Sequence, residues 1–207
     1  DHLAYPEAVP HMNRTTFLKL LSQKLYPVLK AEGFQGSGQT LRRIEGPLIH
    51  VFNVQGASGG KACYLNLGAH LAFLPSEGGA AVAPEEMEEA GCVFRDRMEP
   101  PPGPAFGWAY GTSKEQAEEN VEFIVSEWAG PGRAFFARHG NYPQSYEQML
   151  RETDPGQIHA RTALHLARIA VHLGDLERAR ALVDAGLARA PERATGLNAD
   201  LAKVLPA

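Results

Sequence analysis

Residues 48–74 read LIHVFNVQGASGGKACYLNLGAHLAFL, and their spacing decides the fold. Leu48–Gln55 is rich in β-branched and aromatic residues, the composition of a strand. Cys63–Leu74 alternates. Cys63, Leu65, Leu67, Ala69, Leu71 and Phe73 point one way, and Tyr64, Asn66, Gly68, His70 and Ala72 point the other. The reading is an antiparallel pair with an apolar underside and a polar upper face. Asn53 or His50 would then lie near Asn66 and His70 across the pair. The connecting GASGGK ends in a lysine, as a phosphate-binding loop does. It is one residue short of GxxxxGK, has Ala62 where a Ser or Thr should hold magnesium, and leads into a strand. Without a helix N-terminus there is nothing to hold an anion, so the segment reads as a hairpin loop.

Upstream, residues 13–32 carry Phe17, Leu21, Leu25, Val28 and Leu29 at helical spacing. Asn13 or Thr15 caps this helix, Pro27 should kink it, and Gly33 with Phe34 closes it. Leu41–Glu45 is a further short strand. Downstream, residues 75–91 form a long acidic loop. Cys92–Met98 is another strand, with Arg95 and Arg97 on one face, and EPPPGPAFG is irregular. Ser113 and Gln116 open a helix with Ala117, Val121, Ile124, Val125 and Trp128 on one stripe. Gly130-Pro131-Gly132 is expected to stop it, and two shorter helices follow near 133–139 and 143–152.

Beyond Asp154-Pro155-Gly156 the chain turns rich in Ala, Leu and Arg. Ala163, Leu166, Ala167, Ala170, Ala179, Val183 and Pro191 fall at tetratricopeptide offsets, with Gly174 at the turn between two helices. No second copy is found, and a lone hairpin cannot bury both faces. It must dock on the preceding part or on another molecule, with 194–205 as a closing helix. The expected class is α+β: an N-terminal helix packed on an antiparallel sheet, then helices and a C-terminal helical hairpin. The divisions are residues 1–12 as a leader or disordered tail, 13–153 as the α+β domain and 154–207 as the helical extension.

At 207 residues the chain should bury roughly 70% of its unfolded surface without a metal or disulfide staple. Its net charge of −4 argues against sequence-independent DNA binding. No apolar run approaches the ~20 residues a membrane span needs. Residues 1–12 lack the basic-then-apolar order of a secretion signal, and a cytoplasmic location is expected. Cys63 and Cys92 sit in apolar surroundings and read as buried thiols. The eight histidines form no HExxH or Cys/His ligand set, so neither metal nor cofactor is expected. His165 and His172 read as solvated or partner-facing.

Chemistry is sparse. Ser58 lies in a glycine turn without GxSxG, and Cys63 points to the core. Acid–base work could recruit His70 with Asp96 or Glu45, at no fixed distance. Arg95, Arg97, Trp108 and Tyr110 could stack a base or grip an acidic partner.

An ordered set of segments carries a resemblance. FLKLLSQKLYPVLKAEGF is followed by a stretch holding Val54-Gln55 and Asn66-Leu67-Gly68, then by CVFRDRM and the Trp108 region. Residues 14 to about 128 resemble the bacterial family called domain of unknown function 4304. The resemblance implies an intracellular α+β domain, draws attention to Gln55 and Asn66, and brings no activity. The expectation is a non-enzymatic module that binds another protein, with toxin neutralisation as a specific version. The contact residues would come from Gln55, Tyr64, Asn66, His70, Arg95, Arg97 and Trp108. The rival is a small-ligand binder or enzyme using a polar cleft on the sheet.

Overall fold

The structure, a computed structural model, describes residues 12–103 and 106–207. Apart from Met12, the leader reading lies outside these residues. Two helices, α1 (Arg14–Lys24) and α2 (Tyr26–Ala31), come first. The Asn13 side chain caps α1 by accepting from the Thr16 N–H at 2.9 Å. The kink falls at Leu25, which places Pro27 in the first turn of α2, where a missing N–H breaks no intrahelical bond. Gly33 takes φ 98° and the Phe34 N–H reaches back to the Leu29 carbonyl, closing α2 as expected.

The sheet runs β1 (Gln35–Ser37), β2 (Thr40–Glu45), β3 (Leu48–Gly56), β4 (Ala62–Leu71) and β5 (Phe94–Met98) in spatial order, every pairing antiparallel. A two-residue β6 (Trp108–Ala109) pairs with the start of β4. GASGGK is the β3–β4 hairpin loop, with Gly59 and Gly60 at positive φ. Cys63, Leu65, Leu67, Ala69 and Leu71 are each at most 1% exposed, as the alternation requires. The strand ends at Leu71, and Phe73 lies beyond it, stacked on His172 at 3.6 Å.

The apolar underside packs on α1, α2 and α3 (Lys114–Glu127) in one core that joins Phe17, Leu29, Phe52, Leu67, Val121 and Trp128. The expected stop at 130–132 does not occur. A single wide π turn over Trp128–Gly132 carries the chain straight into α4 (Arg133–Arg138). Gly132 serves contact there, because a Cβ would lie 2.5 Å from the Trp128 ring. Next come α5 (Gln144–Glu152), α6 (Ala160–His172), α7 (Leu176–Arg189) and α8 (Thr195–Ala202). The α6–α7 hairpin docks on the end of the sheet: Leu166, Ala170 and Leu182 share a cluster with Leu48, Leu71, Leu74 and Leu150. His165 is not solvated. It is 6% exposed and lies 3.0 Å from Glu77, which also meets Arg161.

The upper face of the sheet departs from a uniformly polar, open surface. Residues 75–93 fold over part of it. Met87 and Cys92 close on Ile49 and Val51, and the Met87 carbonyl accepts from Arg42 Nε at 2.6 Å. Gly68 makes this closure possible, since a Cβ there would sit 2.8 Å from Cys92 Sγ. Cys63 and Cys92 are both buried free thiols, pushed up to about 12 chiefly by desolvation.

Candidate functional site

Where the roof of residues 75–93 ends, a polar row crosses four strands. Thr40, Asn53, Asn66 and Arg97 are register partners on β2, β3, β4 and β5, so their side chains stand on the same face. The Asn66 amide donates to Asn53 Oδ1 at 3.2 Å and Gln55 Oε1 at 3.0 Å. Its Oδ1 accepts from Arg97 Nε at 2.8 Å, and Asn53 Nδ2 donates to Thr40 Oγ1 at 3.1 Å. Asn66 is 2% exposed, and these bonds use both amide hydrogens and the oxygen. The Arg97 guanidinium lies over the Tyr64 ring at 4.2 Å. With strands ~4.8 Å apart, the row is about 14 Å wide, enough to underlie one helix of a partner. Gln55 and Arg97 are exposed, and the Arg97 Nη groups and Gln55 Nε2 leave the strip rich in hydrogen-bond donors.

The other expected residues sit elsewhere. His70 is on this face but fully buried under the roof, with both nitrogens engaged. The Val93 N–H donates to its Nδ1 at 3.2 Å, and Nε2 donates to the Leu74 carbonyl at 3.1 Å. That fixes the neutral tautomer, and desolvation lowers its pKa. Arg95 lies beside the roof, in an ion pair with Glu89 at 2.8 Å. Trp108 is on the opposite face. It pairs with Cys63 and donates Nε1 to the Met98 carbonyl at 2.9 Å, in the core. So Gln55, Tyr64, Asn66 and Arg97 are brought together, His70 and Arg95 border them under and beside the roof, and Trp108 is not part of the group. Asn53 meets Asn66 as expected. His50 does not meet His70, because it pairs with Ala69 and faces the helices.

His50 belongs to a second polar group. Arg43 donates Nε and one Nη to His50 Nδ1 at 3.3 and 2.8 Å and its other Nη to the Glu32 carbonyl at 2.9 Å. His50 Nε2 donates to the His139 carbonyl at 2.9 Å, so the ring is the neutral Nε2–H tautomer. Burial lowers His50 to about 4 and His139 to about 3. The Glu32 carboxylate accepts from Trp128 Nε1 at 2.7 Å and from Arg133 Nε. Glu32, Arg43, His50, Trp128 and Arg133 line a cleft of about 380 Å³ between β2–β3 and α4. Only His50 in this group carries a sequence signal, as a histidine on a strand. Glu32, Arg43, Trp128 and Arg133 come from four separate elements and share no motif.

Compared with models of known protein families, residues 25–129 match the one described as Domain of unknown function (DUF4304). No curated protein and no solved structure matches the chain.

Proposed function

The chain belongs to the DUF4304 family, whose description names no activity, and on that premise we propose that it is a non-enzymatic module that binds another protein. The contact surface is the strip of Gln55, Tyr64, Asn66 and Arg97. The observation that carries this reading is the fully bonded Asn66. It holds its neighbours in one arrangement before any partner arrives, which reduces the ordering cost of association. The outward groups are donors, so the complementary partner presents carboxylates or carbonyls. Arg97 on Tyr64 supplies the residue types enriched at interface hot spots. The rival catalytic reading draws less support, because His70 is roofed over and Arg95 is paired with Glu89. The α6–α7 hairpin adds a tetratricopeptide-like element, supported by Ala163, Ala167, Ala170 and Ala179 buried where the helices meet. Neutralising a bacterial toxin inside the cytoplasm, as an immunity protein does, is the specific version of this proposal.

The test is capture from native lysate with immobilised wild type, Arg97→Glu, Tyr64→Ala and, as a control, Arg180→Glu on the exposed side of α7. A captured protein lost with both strip variants and retained by the control supports the reading. Equal capture by all four chains refutes it.

A further inference from the structure

The cleft on the helical side of the sheet is separate from the polar strip and has its own chemistry. The Arg43 guanidinium lies 4.6 Å from the centre of the Phe34 ring and 5.7 Å from that of Phe136, two rings whose centres are 5.2 Å apart. Of its five N–H groups, His50 and the Glu32 carbonyl take three, leaving one on each Nη nitrogen. No carboxylate among the described residues lies within ion-pair distance of it, although it is partly buried. Those two N–H groups are open to an incoming anion. Glu45 lies two residues along the same face of β2, about 7 Å away at strand spacing, and also lines the cleft. It too makes no ion pair with a described residue. Leu48, Trp128 and Phe136 also reach the cleft, each by an edge only, at 5%, 1% and 2% exposure. Glu32 and Arg133 neutralise each other at the wall.

A simple anion would satisfy Arg43 and be repelled by Glu45; a simple cation would meet the reverse. A dipolar ligand matches both charges. We propose that this cleft binds a free α-amino acid. The carboxylate is held by the two remaining Arg43 N–H groups, and the ammonium faces Glu45. His50 is a positioning residue. Its Nδ1 lone pair fixes the Arg43 fork, and its own orientation is set by the His139 carbonyl. The volume of about 380 Å³ is within the range of small-ligand sites.

Trp128 in the wall makes occupancy visible by its fluorescence, and Trp108→Phe removes the only other indole. Titration of that variant uses L-phenylalanine and L-leucine, with 3-phenylpropanoate and phenethylamine as probes lacking the ammonium and the carboxylate. The expected result is saturable quenching or shift by at least one amino acid at millimolar concentration or below. Each truncated probe should bind roughly tenfold more weakly, the loss expected for one charge-assisted contact. Arg43→Gln and Glu45→Gln should each weaken amino-acid binding by a similar factor. Glu45 is exposed, so Glu45→Gln keeps the test valid even where Arg43→Gln disturbs folding. Absence of binding by either amino acid overturns the proposal. So does equal binding of 3-phenylpropanoate and L-phenylalanine, or unchanged affinity in Glu45→Gln.

Discussion

Replacing Gly68 by alanine tests the roof on the sheet. The added Cβ would lie 2.8 Å from Cys92 Sγ, 3.2 Å from Cys92 Cβ and 3.2 Å from Glu89 Cγ. Ordinary contacts of this kind need about 3.5–4.0 Å, so the roof must lift by close to 1 Å. Cys92 has little freedom to yield: its N–H donates to the Glu89 carbonyl at 3.0 Å and it is fully buried. Overpacking of this kind costs about 1–3 kcal/mol. For a chain of this length that is a fall in Tm of about 2–12 °C. Cys92→Ala removes the clashing sulfur and alone costs about 1–2 kcal/mol through the void it leaves. The double variant should therefore be destabilised by at least about 1 kcal/mol less than the sum of the singles. Urea denaturation followed by tryptophan fluorescence and circular dichroism gives the four free energies of the cycle. A Gly68→Ala chain as stable as wild type, or strict additivity in the cycle, refutes the close packing of residues 89–92 on β4.

Two further outcomes follow from the polar groups. Asn66→Ala leaves Arg97 Nε without its acceptor and Asn53 and Gln55 without their donor, and should cost about 1–2 kcal/mol in urea denaturation. Gln55→Ala removes one of these bonds, at an exposed position that water can enter, and should cost less, about 0.5–1 kcal/mol. The buried histidines set the acid limb of stability. His50 stays neutral in the fold down to about pH 4, whereas the unfolded chain takes up that proton near 6.5. The unfolded state thus binds more protons in this window, so stability present at pH 7 is lost as the pH falls from about 6.5 towards 4. The loss is on the order of 3 kcal/mol for His50, and His139 adds to it in the same direction. Denaturation midpoints measured from pH 7.5 to 4 should fall, and less steeply in His50→Gln. A flat wild-type profile would contradict the burial of the His50–His139 pair.

The two long strands were legible because alternation is local: Leu65, Leu67 and Leu71 announce a buried face whatever packs on it. From that register, Asn66 opposite Asn53 and beside Gln55 follows directly. β1 carries no such signal, because Gln35-Gly36-Ser37 has turn composition and is held only by pairing with Thr40–Arg42. Pro131 and Gly132 gave a stop signal that the fold overrides. A π turn accommodates the proline, and the glycine answers to the Trp128 ring. The roof could not be read from the strands, since polar residues 75–93 contribute little apolar surface beyond Val82, Met87 and Cys92. It buries His70 and separates it from the strip. The cleft was invisible for a different reason. Glu32 and Arg133 are about a hundred positions apart and meet only through tertiary packing.

The outermost strands constrain how a partner can approach. β1 is three residues long and contains Gly36 at φ 128°, while β5 is five residues long and carries Arg95, Asp96 and Arg97 in succession. Margins this short, one interrupted by a glycine and the other charged, make poor templates for backbone pairing with a foreign chain. Strand addition and fibril-like stacking are therefore both disfavoured, so the proposed partner would land on the sheet broadside, reading side chains instead of extending the ladder.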